Sequence, residues 1–268
     1  MDNVMIRRKG MLHHLQNFKK FQPLLQELVA RDIKIKYRRS VLGVLWTLLN
    51  PLFMMVVLSV VFSNLFRMDI ENFPLYLLSG QLVFTFFSDS TTNSMSAVIG
   101  NASLIKKIYV PKYLFVISRV FSSFINLMAS FTALLLVMVA MRAELHWTIL
   151  LIPVPLVLLV IFCLGVGLIL AAVTVKFRDI MHLYSVFTTA LMYLTPVIYP
   201  MSMLPDWLRP IVGLNPITNI LIMFRDVMLN NSLLEMKALV LAIIEAVLAL
   251  IIGLWVFYKN QDDFILNI

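Results

Sequence analysis

The sequence predicts an all-α integral membrane protein. Six transmembrane helices are expected, with an amphipathic N-terminal interface helix ahead of them and a pair of short re-entrant helices between spans five and six. Three observations lead there. Apolar residues make up 61% of the 268-residue chain and charged residues 13%, which leaves too little polar surface to coat a soluble globule of this length. Long uncharged runs recur along the chain. The cations stand beside those runs: residues 31–51, "RDIKIKYRRSVLGVLWTLLNP", carry five Lys or Arg within nine positions, and no charge follows from Ser40 through Phe66. A nucleic-acid binder with the same net charge of +8 would spread its cations over solvated faces, so no nucleic-acid partner is expected.

The first segment, residues 1–43, holds Arg7, Arg8 and Lys9 followed by "GMLHHLQNFKK", which lacks the apolar core of a cleavable signal. It is expected to be retained and cytoplasmic. Within it Phe18, Phe21, Leu24, Leu25, Leu28 and Val29 recur at helical spacing among Lys19, Lys20, Glu27 and Arg31. Such a helix lies along the inner leaflet, its cations near anionic headgroups and its apolar face at the acyl boundary of the membrane lipids. A contact surface for a cytoplasmic partner is the second reading of the same charges.

The spans follow from length, since about 20 apolar residues at about 1.5 Å rise cross a hydrocarbon core of about 30 Å. Residues 44–66, 73–98, 114–141, 149–175, 181–199 and 238–258 meet that measure and form one domain, 44–258, with a tail at 259–268. The second span is the least apolar, because it contains Asp89 and many Ser, Thr and Asn residues. With both termini inside, sixteen Lys and Arg fall in cytoplasmic segments and five on the opposite side, with Arg119 left within the third span. That bias fixes the orientation. Between spans five and six the apolar segment 200–231 is broken by Pro205, Pro210 and Pro216. Its pieces, about residues 205–213 and 217–229, are about 14 and 20 Å long, too short to cross. Irregular backbone at membrane depth is tolerated only under protein cover or beside a wet cavity.

Chemistry is scarce. His13, His14, His146 and His182 have no spacing that makes them joint ligands, so no metal site is expected. Asp262 and Asp263 read as part of a solvated tail. There is no G-x-x-x-x-G-K-[ST] loop, Gly165-x-Gly167 sits inside the fourth span, and Cys163, the sole cysteine, reads as a small packing residue. No catalytic residue is expected in this chain.

Two polar stripes remain. Gln81, Thr85, Ser88, Asp89, Thr92 and Ser96 fall within about 100° of one helical face, bordered by Phe73 and Phe84. One reading is packing through Ser and Thr hydrogen bonds, with Asp89 paired to a cation; the other is the wall of a water-filled conduit. Thr218, Asn219, Arg225 and Asp226 share a second stripe, read either as a cap with a salt bridge or as functional. Of the aromatic residues, Tyr199, Trp207, Trp255 and Tyr258 suit a headgroup belt. Tyr184, Phe187 and Tyr193 could instead offer faces to sugar rings.

"RDIKIKYRRSVLGVLWTLLNP", "LIKKIYVPKY", "VKFRDI", "LTPVIYPMSMLP" and "LNPITNILIMFRD" together resemble the permease subunits of ABC type-2 exporters. More narrowly, the chain is similar to the branch that exports polysaccharides such as O-antigen, capsule or teichoic acid, over about residues 20–260. The resemblance implies a homodimer in the bacterial cytoplasmic (inner) membrane, with a conduit at the two-fold axis, for a lipid-linked polysaccharide. It implies two copies of a cytoplasmic nucleotide-binding subunit, which would bind Mg-ATP; no cofactor is implied in this chain. It makes residues 99–113 an ATPase-coupling loop, in which Asn101 caps a helix, Lys106 and Lys107 suit its carboxyl end, Pro111 stops it, and Tyr109 and Lys112 complete the contact. For that conduit the polar face and the aromatic positions offer Phe73, Gln81, Phe84, Thr85, Ser88, Thr92, Phe187 and Tyr193 as candidate lining. At an outer gate the resemblance places Pro205, Trp207, Asn215, Pro216, Thr218 and Arg225. Two other functions stay open: a type-2 exporter of a drug or lipid, and an ATP-independent secondary transporter or channel. Against the latter, Asp89 and Glu245 are isolated and no inverted repeat is visible.

Overall fold

The abrupt edge between cations and apolar residues is a corner in the backbone. Gly43 takes φ 48°, a left-handed conformation that costs a glycine little, and its N–H donates to Ser40 Oγ at 3.0 Å. The computed structural model describes residues 11–38, 40–65, 70 and 72–267, with side chains for 21–38, 40–62, 70 and 72–266. Arg7, Arg8, Lys9, Arg39 and Arg67, and the side chains of Phe18, Lys19 and Lys20, lie outside the described set.

In chain order the helices are α1 (Met11–Tyr37), α2 (Leu45–Leu65), α3 (Phe73–Met95), α4 (Ala102–Ile105), α5 (Tyr113–Ala140), α6 (Pro153–Lys176), α7 (Ile180–Leu194), α8 (Arg209–Gly213), α9 (Pro216–Met228), α10 (Met236–Asn260) and α11 (Phe264–Asn267). No strand occurs among the described residues. Four stretches are long and apolar enough to cross a membrane: Leu45–Phe62, Tyr113–Ala140, Trp147–Lys176 and Met236–Leu266. α3 has 23 residues but bears the polar stripe. α7 has 15 residues, about 22 Å at 1.5 Å per residue, and ends before the expected residue 199. Thr195, extended at ψ 138°, precedes Pro196, whose ring disfavours helical backbone in the residue before it.

The bundle is tightest where side chains are smallest. A Cβ on Gly165 of α6 would fall 2.3 Å from the backbone of Ala249 in α10, and one on Gly253 would fall 2.3 Å from Gly165 O. Small residues let helices approach closely where lipid supplies no hydrophobic drive between them. α3 packs against both α5 and α6, and its Phe87 ring stacks on Phe162 of α6 with centroids 6.0 Å apart. A second apolar cluster joins Leu28 of α1, Val110, Leu114, Val175 of α6 and Phe257 of α10. The interface helix therefore packs on protein through Leu28, with Phe21 and Leu24 partly buried beside it. Outer faces of α2, α7 and α10 remain apolar and exposed, for example at Val57, Val186 and Leu248.

Asp262 and Asp263 are exposed, as a solvated tail requires, but the tail also packs on the bundle: α10 runs to Asn260, and Phe264 of α11 is 0% exposed, its ring edge-on to Phe257 at 5.2 Å. Asp263 pairs with Lys176 at 3.0 Å. The first re-entrant piece is shorter than expected, because only Arg209–Gly213 of residues 205–213 is helical.

Candidate functional site

α5 carries Arg119, Ser123, Asn126 and Ser130 on one face, at intervals of four, three and four residues. This stripe faces α1 and α2. Arg119 lies 3.3 Å from Asp32 Oδ2 of α1, and Arg31 Nη2 lies 3.1 Å from Asp32 Oδ1. The Arg119 contact is an ion contact rather than a directed hydrogen bond, since Asp32 Oδ2 and Arg119 Nε have no hydrogen-bond partner among the described residues. One turn on, Tyr37 Oη donates to Asn126 Oδ1 at 2.9 Å, and Ser130 Oγ donates to Thr47 O of α2 at 3.1 Å.

Between these helices and α3 opens a cavity of about 500 Å³. Gln81, Phe84, Thr85 and Asp89 line it from α3; Ser123, Asn126 and Ser130 from α5; Asn50 and Trp46 from α2; Lys36 and Tyr37 from α1; and Met192 of α7 and Val197 also reach it. Asp89 has the cation its packing reading required, with Lys36 Nζ 3.9 Å away. Of the expected conduit residues, the cavity gathers Gln81, Phe84 and Thr85. Ser88 and Thr92 share the open side of α3 without lining the cavity, and Phe187 and Tyr193 are exposed on α7. Phe73 does not line the cavity; it is buried, with its ring 6.4 Å from Phe62. The hydroxyls that pack α3 belong to other positions, Ser79, Ser90, Thr91 and Ser94, all buried and most turned back onto the helix's own carbonyls. Thr91 Oγ1 also accepts from Tyr184 Oη at 2.8 Å. Within this chain the stripe is partly open, with Thr85 and Thr92 exposed and Gln81 buried.

At the other end, Asn215 caps α9 by accepting from Ile217 N at 3.1 Å, and Pro216 follows it at the first helical position. Asn215 Nδ2 donates to Thr195 Oγ1 at 3.1 Å. Arg225 makes no salt bridge with Asp226. It is 5% exposed and donates to Ser79 Oγ and to the carbonyls of Tyr76, Pro196 and Val197. Asp226 accepts from Asn230 instead, and Asn219 Nδ2 donates to Glu245 of α10. Thr218 is buried, while Pro205 and Trp207 are exposed.

The 101–112 loop departs from the coupling helix the resemblance implied. α4 is one turn of four residues, ending at Ile105 well before Pro111. Asn101 does not cap it; its Nδ2 donates back to Ala97 O at 2.8 Å, because the preceding 3₁₀ turn brings that carbonyl within reach. The loop presents Lys106, Lys107, Ile108 and Tyr109 outward, Tyr109 at 94% exposure, and anchors itself through buried Ile105 and Val110. Lys112 turns inward, donating to Gln261 O with its ammonium 5.6 Å from the centre of the Phe264 ring. Burial lowers its pKa from the ordinary lysine value, opposed by the nearby Asp262 charge.

Among the described residues no group of three or more His, Cys, Asp or Glu could hold a metal ion. Cys163 is free and buried, which fits a packing role.

The sequence matches known proteins along most of its length. The O-antigen export system permease protein RfbA of Myxococcus xanthus is 29% identical over 256 residues, covering 95% of this chain and 98% of that one. The protein of the same name from Klebsiella pneumoniae is 29% identical over 245 residues, covering 90% and 93%. The polysialic acid transport protein KpsM of Escherichia coli is 23% identical over 256 residues, covering 91% and 95%. The family described as ABC-2 type transporter matches residues 23–229, from α1 through α9, and the chain belongs to that family.

Proposed function

We propose that the chain is the membrane permease of an ATP-driven exporter that moves a lipid-linked polysaccharide, of the O-antigen, capsule or teichoic acid type, across the bacterial cytoplasmic membrane. The observation that carries this reading is the near end-to-end match to a permease named for O-antigen export, which covers 98% of that relative. α2, α3, α5, α6, α7 and α10 are the six crossings, and α8 with α9 form the re-entrant pair at the outer mouth. The sixteen-to-five division of Lys and Arg supports a cytoplasmic position for both termini and the 101–112 loop.

The working assembly is a homodimer with two copies of a separate nucleotide-binding subunit, which binds Mg-ATP and supplies the hydrolysis. Exposed Ile108 and Tyr109, flanked by Lys106 and Lys107, form the docking point on this chain. Val110 and Lys112 tie that point to α5, α6 and α11, so that movement of the partner is passed on as rigid-body motion. The open stripe of α3, with Phe187 and Tyr193, faces the glycan path, and Pro205, Trp207 and the Asn215–Arg225 segment bound its exit.

A deletion strain tests the reading. Loss of the gene is expected to remove surface glycan and to accumulate lipid-linked glycan inside the cell, and a plasmid copy restores export only beside a hydrolysis-competent ATPase. Surface glycan unchanged by the deletion overturns it.

A further inference from the structure

The cavity between α3 and α5 is lined by more polar groups than it satisfies internally. Gln81 is 8% exposed and Ser123 3%, yet Gln81 Oε1 and Ser123 Oγ have no hydrogen-bond partner among the described residues. Buried polar atoms nearly always find partners; these two oxygens lie just behind the accessible wall, so a side-chain rotation that turns Gln81 and Ser123 inward would pair them with a ligand. At about 500 Å³ the space falls in the range of about 300–1,000 Å³ typical of pockets for drug-sized ligands.

The chemistry of the lining selects the ligand. Asn50, Gln81 and Asn126 contribute carboxamides, each with donors and an acceptor, which suits hydroxyls that both donate and accept. Asn126 spends its Oδ1 on Tyr37, which leaves Nδ2 for a ligand. Among the described residues charge is balanced: the lining cation, Lys36, stands 3.9 Å from the lining carboxylate, Asp89, which favours an uncharged ligand over an anionic one. Trp46 and Phe84 supply aromatic surface on the same wall set.

We propose that this cavity is a binding subsite, inside a single protomer, for an uncharged saccharide unit of one or two rings. The proposal rests on the reading of the chain as a glycan exporter's permease and adds to it the charge class of the sugar and a place where that sugar pauses. A site on a transport path must release what it binds, so affinity for an isolated unit is weak.

Trp46 is the reporter. With Trp147→Phe, Trp207→Phe and Trp255→Phe in place, the permease and its ATPase subunit are purified together in nanodiscs. They are titrated with maltose, lactose, mannobiose and N,N′-diacetylchitobiose, and with an acidic hyaluronan disaccharide. The expected result is a saturable change in Trp46 emission with at least one neutral disaccharide and none with the acidic one. Apparent affinity is expected to weaken at least tenfold in Gln81→Leu. Thr85→Leu, at an exposed wall position, is expected to weaken it likewise and serves where Gln81→Leu fails to fold. No response to any neutral sugar, an equal response to the acidic one, or an unaltered response in the folded variant overturns the proposal. Quenching by brominated lipid without a sugar response also overturns it, making the space a lipid cleft. Export by the same strains separates the two readings: normal surface glycan without a Trp46 response sinks the subsite alone, and absence of glycan export by the wild type sinks the exporter reading.

Discussion

The guanidinium of Arg225 lies 3.5 Å from the centre of the Tyr76 ring, and all four of its hydrogen bonds end on uncharged oxygens. A buried cation without a carboxylate is stable only when other groups replace its hydration, and here three carbonyls, a hydroxyl and an aromatic face do so. Two of those carbonyls, on Pro196 and Val197, are freed where the proline breaks α7. Arg225 thereby ties α9, α3 and the break together. Gly80 makes the room, since a Cβ there would stand 2.5 Å from Arg225 Nη2.

Arg225→Met is therefore expected to leave buried carbonyls unpaired, each costing about 1–3 kcal/mol. Arg225→Lys is expected to rescue little, because one ammonium cannot reproduce the planar fork. Gly80→Ala should act in the same direction by displacing the guanidinium. Heating purified permease and following the monodisperse peak on size exclusion measures this, and a wild-type melting midpoint for Arg225→Met would show that the node does not hold the fold.

Asp32 and Arg119 dock α1 on the bundle. Asp32→Ala leaves Arg119 half-shielded without its counter-charge, so α1 is expected to loosen, at a cost on the order of 1–2 kcal/mol after allowing for Arg119's partial exposure. Limited trypsin digestion reads this out through faster cleavage at Arg31 and Lys34. Equal protection in wild type and Asp32→Ala would mean that Leu28 and its apolar neighbours suffice.

Tyr109 is the sole aromatic residue of the 101–112 loop and is 94% exposed. Tyr109→Ala with Lys107→Glu is expected to leave permease abundance unchanged while separating ATP hydrolysis by the partner from glycan export. Normal export by the double variant would remove the coupling role from this loop.

Topology is tested with single cysteines in a Cys163→Ala background. Cysteines at Lys106 and Lys259 are expected to be protected from an impermeant thiol reagent in intact cells, and one at Glu144, whose side chain is 87% exposed, to be labelled. Labelling of Lys106→Cys from outside would overturn the orientation.

Phe84 shows why a residue's face has to be seen before a variant is chosen. It stands on the cavity wall, but it is 5% exposed and packs against Phe87 with centroids 6.0 Å apart. Phe84→Ala would cost about 3–5 kcal/mol through the space it leaves, so it cannot separate transport from folding. Thr85, one residue on, is exposed and can be enlarged without disturbing the core.

The sequence by itself determined that the chain belongs in a bilayer, which segments are helical and apolar, and where the cations sit, because these depend on composition and local periodicity. The helical piece at about 217–229 was legible for the same reason, and α9 runs Pro216–Met228. The α5 stripe of Arg119, Ser123, Asn126 and Ser130 was equally legible from its spacing, but its meaning was not, because its partners Asp32, Tyr37 and Thr47 lie more than 80 residues away. Tertiary structure alone decided that Arg225 bonds carbonyls rather than Asp226, that Asn101 turns back to Ala97, and that Phe264 seals the end of the bundle. A polar side chain takes whichever partners the packed backbone brings within about 3 Å, and sequence neighbours have no priority in that choice.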